Sequence, residues 1–256
     1  MRVAVITVAG ISSRFNEGIE EQDKKLKCIY YADDKKNTLL YHMLCKLSYA
    51  DKIVVVGGYK YDELKSYIDE VLPPDMHEKI ILVMNEHYED YASGYSLYMG
   101  LKTAFDKLTD IEDILFVEGD LDIDKESVDK VIDSYNSILT YNNEPIYSKS
   151  AVVLYQDEGN LYHYAFNSSH GTLKIDEPFK CILNSGQLWK FTDIDVLRKS
   201  NEIFEKNYKM DTNLRIIQDY VNEFKGNIEV INLKRWTNCN TRADFGKIRK
   251  YWEDEI

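Results

Sequence analysis

Four short runs constrain the fold more than any other feature of the chain. VAVITVA (3–9), KIVVVGG (52–58), KIILVMN (79–85) and DILFVEGD (113–120) are rich in β-branched residues and almost unbroken in apolar character. A strand with one wet face alternates. A run that is apolar throughout must be covered on both faces, which is the pattern of a parallel sheet. Between these runs lie TLLYHMLCKL (38–47), YDELKSYIDEVL (61–72) and YSLYMGLKTAFDKL (95–108), which read as helices. In the last, Leu97, Leu101, Ala104 and Leu108 recur at helical spacing, and Ser93 is placed to cap it. Strand–helix alternation of this kind builds right-handed βαβ units in an open α/β sheet. Apolar residues make up 44% of the 256, enough for one sizeable core and a single domain.

The texture changes after KESVDKVIDSYNSIL (125–139). SAVVLYQDEGNLYHYAF (150–166) reads as a hairpin turning at Asp157-Glu158-Gly159-Asn160, and FKCILNSGQLWKF (179–191) as extended chain. Helices are expected near 192–204 and 211–224, a strand at 228–234 and a last helix at 241–252. The second half therefore adds a partly antiparallel lobe over the carboxyl edge of the sheet.

The formal net charge of −12 is spread without a basic stripe, which makes the chain a poor candidate for binding a polyanion such as nucleic acid, and no nucleic-acid partner is expected. Cys28, Cys45, Cys181 and Cys239 form no CxxC pair, so reduced thiols are expected and a zinc site is not. The first residues lack the apolar core and cleavage site of a signal peptide, and no segment is long enough to span a bilayer. The expectation is a cytoplasmic protein with no membrane partner.

Ligands of open parallel sheets bind outside the carboxyl ends of the strands, and three loops fall there. In Ala9-Gly10-Ile11-Ser12-Ser13-Arg14, a glycine turn can bring amide N–H groups to an anion, and the guanidinium of Arg14 can fork onto phosphate oxygens. The alternative is an ordinary turn with a solvated arginine. In Glu118-Gly119-Asp120-Leu121-Asp122, carboxylates at a strand end suit a hard cation such as Mg²⁺. Asp122 and Asp124 are equally placed to cap the next helix, whereas Asp120 sits on the strand terminus. In the stretch 236–245, Asn240 can offer an oxygen to a metal or cap the helix that follows.

Together these loops resemble the MobA-like nucleotidyltransferases, and most of all the bacterial phosphocholine cytidylyltransferases. AGISSR (9–14) matches the first loop, Lys27 in LKCIYY the downstream lysine, Asp120 in EGD the metal aspartate, and Asn240 in NTRADF the second metal position. NEHYEDYASGYSLYMG (85–100) and ILNSGQLWKF (182–191) extend the similarity over nearly the whole chain. Ile11, Ser12 and Ser13 stand where the family has more glycine, and Leu26 replaces the proline before the lysine. Ala92 and Ser93 replace paired asparagines, and Asn240 stands where many members have aspartate.

The resemblance implies a Rossmann-like fold of the nucleotide-diphospho-sugar transferase (GT-A-like) kind. It divides the chain into a nucleotide-binding half (1–140), an acceptor lobe (141–235) and a C-terminal metal loop and helix (236–256). It implies nucleotidyl transfer from a nucleoside triphosphate, CTP by closest likeness, to a small phosphorylated acceptor, with Mg²⁺ as cofactor. Ala9, Gly10, Ile11, Ser12, Ser13, Arg14, Asn85, Ser93 and Ser96 would hold the nucleotide. Arg14, Lys27 and Asp120 would be catalytic, and Asp120 and Asn240 would hold the metal. The acceptor would meet Tyr88, Tyr95, Tyr155, Trp189 or Asp211. With 20 tyrosines in the chain, an aromatic cage for a phosphocholine-like cation is within reach, although tyrosines also fill strands and cores. Asp211 can equally cap a helix.

Three other readings stand beside this one. A sugar-1-phosphate nucleotidyltransferase would share the nucleotide half. A GT-A-type glycosyltransferase would use Asp120-Leu121-Asp122 as its Asp-x-Asp pair. A binding module would hold nucleotide without chemistry. Ser168-Ser169-His170-Gly171 is not the His-x-Gly-His signature of the other cytidylyltransferase fold.

Overall fold

The computed structural model describes residues 1–149, 151–166 and 171–254; Ser150 and the Ser168-Ser169-His170 part of the histidine stretch lie outside them. The first half follows the expected alternation. Its elements are β1 (Arg2–Thr7), α1 (Leu39–Lys46), β2 (Lys52–Gly57), α2 (Tyr61–Val71), α3 (Pro74–His77), β3 (Ile80–Met84), α4 (Ser93–Lys107) and β4 (Asp113–Glu118). The strands β3-β2-β1-β4 lie side by side and parallel. Alternate residues of β1 feed opposite cores. Ala4 and Ile6 meet Leu44, Leu64 and Val128, while Val3 and Val5 meet Leu97, Leu101 and Phe204. Both faces are covered, which is why the strand reads as a continuous apolar run.

The stretch 125–139 divides. After the short strand β5 (Leu121–Ile123), helix α5 stops at Asp133 (Lys125–Asp133), and Ser137–Asn142 forms β6 near the middle of the sheet. The second half supplies β7 (Val152–Asp157), β8 (Tyr162–Phe166), β9 (Phe179–Ser185), β10 (Leu188–Phe191), α6 (Ile194–Asn207), α7 (Leu214–Glu223), β11 (Ile228–Leu233), β12 (Trp236–Asn238) and α8 (Arg242–Asp254). β10 runs antiparallel to β4 and joins the two halves into one sheet, and β6, β9, β7 and β8 continue it. β9 and β10 run end to end along β6 and are broken at Gly186-Gln187. A Cβ on Gly186 would lie 2.5 Å from Thr140 Oγ1, and Gln187 takes the left-handed φ of 53°.

A separate corner closes the C-terminus onto the front of the molecule. Phe15, Leu39, Phe245, Ile248 and Trp252 pack together. Asp122, 2% exposed, accepts hydrogen bonds from Lys46 Nζ (2.9 Å), Trp252 Nε1 (3.0 Å) and Arg235 Nη1. Asp122 is thus an ionic anchor and not a helix cap. The cap of α5 is Asp124, whose Oδ1 accepts from Ser127 N at 2.9 Å.

His42 stacks on Trp252 at 3.8 Å, and burial together with the nearby Lys46 charge pushes its pKa down to about 4. The unfolded chain, with a histidine near the ordinary value, takes up the proton first. Stability is therefore full above about pH 6.5 and falls as the pH drops from there towards 4. Denaturant midpoints between pH 7 and 4.5 should show this loss, and His42→Asn should flatten the slope. An unchanged slope in the variant would remove His42 as its source.

Candidate active site

Thr7 at the end of β1 lies level with Glu118 at the end of β4, and Gly119 N donates to Thr7 O at 3.0 Å. A Cβ on Gly119 would sit 2.2 Å from Val8 Cγ1, so only glycine lets the two strand-end loops meet this closely. On the other side, β12 pairs with β5, placing Asn238 opposite Leu121, and Cys239 N donates to Asp120 O at 2.8 Å. The three loops singled out in the sequence thus converge.

Two cavities open here. The smaller, about 250 Å³, is lined by Ala9, Gly10, Ser12, Lys27, Asn85, Tyr88, Ser93, Ser96, Glu118 and Asp120. The larger, about 700 Å³, is lined by Arg14, Glu118, Asp120, Glu144, Tyr147, Asn184, Trp236, Asn238, Asn240, Asp244, Lys247 and Tyr251. Among the described residues, only Glu118 and Asp120 border both.

The first loop differs in detail from its sequence reading. The left-handed residue is Ser12 (φ 55°), not Gly10, whose surroundings are open. Ser12 Oγ accepts from Lys27 N at 3.3 Å, which ties the lysine's backbone to the loop. Ile11, Ser13 and Arg14 are exposed, and Arg14 borders the larger cavity. Asn85 is buried, with its side chain bonded to Ser96 Oγ (2.9 Å) and to His87 N. Ser93 does not cap α4. The cap position is Ala92, and Ser93 Oγ instead accepts from Asn213 N.

Lys27 Nζ lies 2.9 Å from Asp120 Oδ2 in a largely buried pair. The other oxygen, Asp120 Oδ1, is buried without a partner, and so is Asn238 Oδ1 on the same cavity wall. The sequence points to Asn240 rather than Asn238, whose only signal there is the alternation Asn238-Cys239-Asn240. Asn240 borders the cavity and is not the helix cap. Thr241 and Asp244 form that cap reciprocally, with Thr241 N donating to Asp244 Oδ2 (2.9 Å) and Asp244 N to Thr241 Oγ1 (3.2 Å). Among the described residues, no group of three His, Cys, Asp or Glu side chains is placed to hold a metal.

Glu118 is held from two sides, Oε1 by Asn213 Nδ2 (2.7 Å) and Oε2 by Gln187 Nε2 (2.9 Å). Burial and the neighbouring Asp120 charge raise its pKa to about 7, against the pull of the Asn213 hydrogen bond and Lys27.

The expected acceptor residues are scattered. Trp189 is fully buried between layers, stacked on Phe116 at 5.0 Å, with Nε1 donating to Tyr164 Oη. Its strand is covered on both faces, so it does not face a pocket. Tyr155 is 8% exposed, lies against His163 and bonds Glu177. Tyr95 belongs to a cluster with His87, Tyr91 and Tyr98, and Tyr88 borders the smaller cavity. Asp211 lines neither of these two cavities and does not cap α7, which begins after Asn213; its carbonyl accepts from Gly94 N. The aromatic residues at the larger cavity are Tyr147, Trp236 and Tyr251.

No helix among the described residues is long and apolar enough to cross a membrane. No curated protein matches the sequence. Solved structures do. An inositol-1-phosphate CTP transferase from T. maritima superposes with a TM-score of 0.64 at 16% identity, covering 95% of this chain and 91% of that one. A CTP:phosphocholine cytidylyltransferase from Streptococcus pneumoniae gives 0.65 at 13%, covering 98% and 100%. A UDP-glucose pyrophosphorylase complexed with UDP-glucose gives 0.67 at 12%, covering both chains fully. These neighbours are nucleotidyltransferases, and the likeness establishes a nucleotide-diphospho-sugar transferase-like α/β fold. Residues 23–252 match the family described as "Domain of unknown function (DUF6564)", and the chain belongs to that family.

Proposed function

We propose that this chain is a nucleotidyltransferase that joins a nucleoside triphosphate, CTP in our reading, to a small amine-bearing phosphate or phosphonate and releases pyrophosphate. The observation that carries this reading is the meeting of two cavities at Asp120, with Lys27 across from it and Arg14 at the rim. An oxygen of the acceptor phosphate attacks the α-phosphorus, the bond to the bridging oxygen of the β-phosphate breaks, and pyrophosphate leaves. No protein nucleophile is needed, so position and charge carry the catalysis. The smaller cavity takes the nucleoside. Lys27 and Arg14 balance the charge of the departing pyrophosphate, and the larger cavity seats the acceptor.

The donor set fits a hard divalent cation such as Mg²⁺. Asp120 Oδ1 and Asn238 Oδ1, both buried without a partner, would hold it, with substrate phosphates supplying further oxygens. When bound, the cation neutralises charge on the α-phosphoryl and acceptor oxygens. Titration of Mn²⁺ into the protein, read by electron paramagnetic resonance, should show Asn238→Ala weakening binding by about tenfold. Weakening by Asn240→Ala instead would move the second ligand back to Asn240.

The amides Asn184, Asn238 and Asn240 around the larger cavity also suit hydroxyl groups, which supports a sugar-1-phosphate acceptor as the second reading. The glycosyltransferase reading loses support because Asp122 is saturated by three donors. Pyrophosphate release with Mg²⁺ tests the proposal, with each ribonucleoside triphosphate set against phosphocholine, 2-aminoethylphosphonate and a panel of sugar-1-phosphates. Release only with CTP and an amine-bearing acceptor supports it. Release only with a sugar-1-phosphate replaces the acceptor, and none with any pair leaves a nucleotide-binding module.

A further inference from the structure

Glu118 has no part in the phosphoryl chemistry described above, yet it stands where the two cavities join. Its carboxylate is fixed by two amides that are themselves buried, Asn213 (3% exposed) and Gln187 (9%). Gln187 reaches it from the left-handed corner between β9 and β10, and Asn213 from the start of α7, where its N–H is bound by Ser93. Left-handed backbone at a non-glycine residue costs free energy and persists where the surroundings over-determine it. The cradle's own donors are neutral, and the Lys27 charge only partly offsets the burial of the carboxyl group, which a cationic ligand would hold in its charged form. Lys27 is paired with Asp120.

The larger cavity repeats the imbalance. Glu118, Asp120, Glu144 and Asp244 face Arg14 and Lys247, with Trp236, Tyr147 and Tyr251 on the walls. A carboxylate beside transferring phosphates repels them unless a cation lies next to it; the cation proposed on Asp120 serves the phosphoryl oxygens, so Glu118 calls for one from the acceptor itself. A neutral head group brings none, whereas an ammonium or quaternary nitrogen does. We infer that Glu118 is the specificity-determining residue of the acceptor site, holding the cationic nitrogen of a phosphate-bearing acceptor and discriminating against neutral head groups. This rests on the nucleotidyl-transfer reading for the identity of the site.

Calorimetric titration decides it. Phosphocholine and its neutral isostere 3,3-dimethylbutyl phosphate are titrated into the full chain, alone and with Mg²⁺ and a non-hydrolysable CTP analogue. The wild-type protein should bind phosphocholine about tenfold tighter or more. Glu118→Gln, with its fold checked by thermal melting, should bring the two acceptors within about twofold. Glu118→Asp, which keeps the charge but retracts it, should fall between. Absence of a preference in the wild-type protein, or a preference that survives Glu118→Gln, overturns the assignment. Loss of affinity for the CTP analogue in Glu118→Gln also overturns it, by moving the residue to the nucleotide. A preference that depends on Glu118 without pyrophosphate release from any pair would refute the transfer reaction and leave the role of Glu118 standing.

Discussion

Asp120→Ala should lower pyrophosphate release by about a thousandfold or more, equivalent to about 4 kcal/mol of transition-state stabilisation. Asp120 offers the only carboxylate oxygen among the described residues that borders both cavities and is buried without a partner. The substitution relieves the like charge beside Glu118 but leaves the Lys27 ammonium, 16% exposed, without its Asp120 partner, so the melting temperature should fall by about 5 °C with the fold intact. Steady-state rates at saturating substrates, with melting curves alongside, check both halves. A variant that stays within tenfold of wild type while folded would take Asp120 out of the metal role.

Asp122→Ala, two residues on, should do the opposite and cost stability rather than chemistry. Its carboxylate is nearly solvent-free, and removing it leaves the ammonium of Lys46, 6% exposed, without its charge partner. Breaking a buried pair in this way costs about 3–5 kcal/mol, more than the pair itself contributes, because an uncompensated charge stays behind. The expected readout is a denaturant midpoint lowered at unchanged m-value and a melting temperature roughly 10 °C lower. Lys46→Met in the Asp122→Ala background should recover part of the loss. A change under 1 kcal/mol would show that the corner tolerates the open charge. Loss of turnover in folded Asp122→Ala at unchanged stability would revive the Asp-x-Asp reading.

The sequence is most legible where one rule acts alone. The four parallel strands announce themselves because both faces are covered, and the helices between them because one face is. β6 was hidden, since Ile132, Ile138 and Leu139 let 125–139 pass as one stretch although the helix ends at Asp133. Trp189 was unreadable for a related reason. All four residues of β10 are buried, so no alternation reveals which way the tryptophan goes. Among the candidate site residues, the strand-end loops could be located because an open parallel sheet puts ligands there. The acceptor wall could not, because Tyr147, Trp236 and Tyr251 reach it from segments far apart in sequence. Asp122 and Glu118 looked like companions of Asp120. Only their partners, at 46, 235 and 252 for one and 187 and 213 for the other, separate an anchor from a cradle.

The Asp122 anchor also bears on the order in which the chain assembles. Its three contacts span 76, 113 and 130 residues, so each closes a long loop before it returns any stabilisation. The β3-β2-β1 part of the sheet and its crossover helices close shorter loops and can form while residues 235 and 252 are still distant, whereas β4 reaches β1 across a separation about as long as that from Asp122 to Arg235. During that interval the acid sits beside an incomplete shell of donors. The corner that fixes β5, and with it the strand end bearing Asp120, is therefore completed late, when the last helix docks against the first.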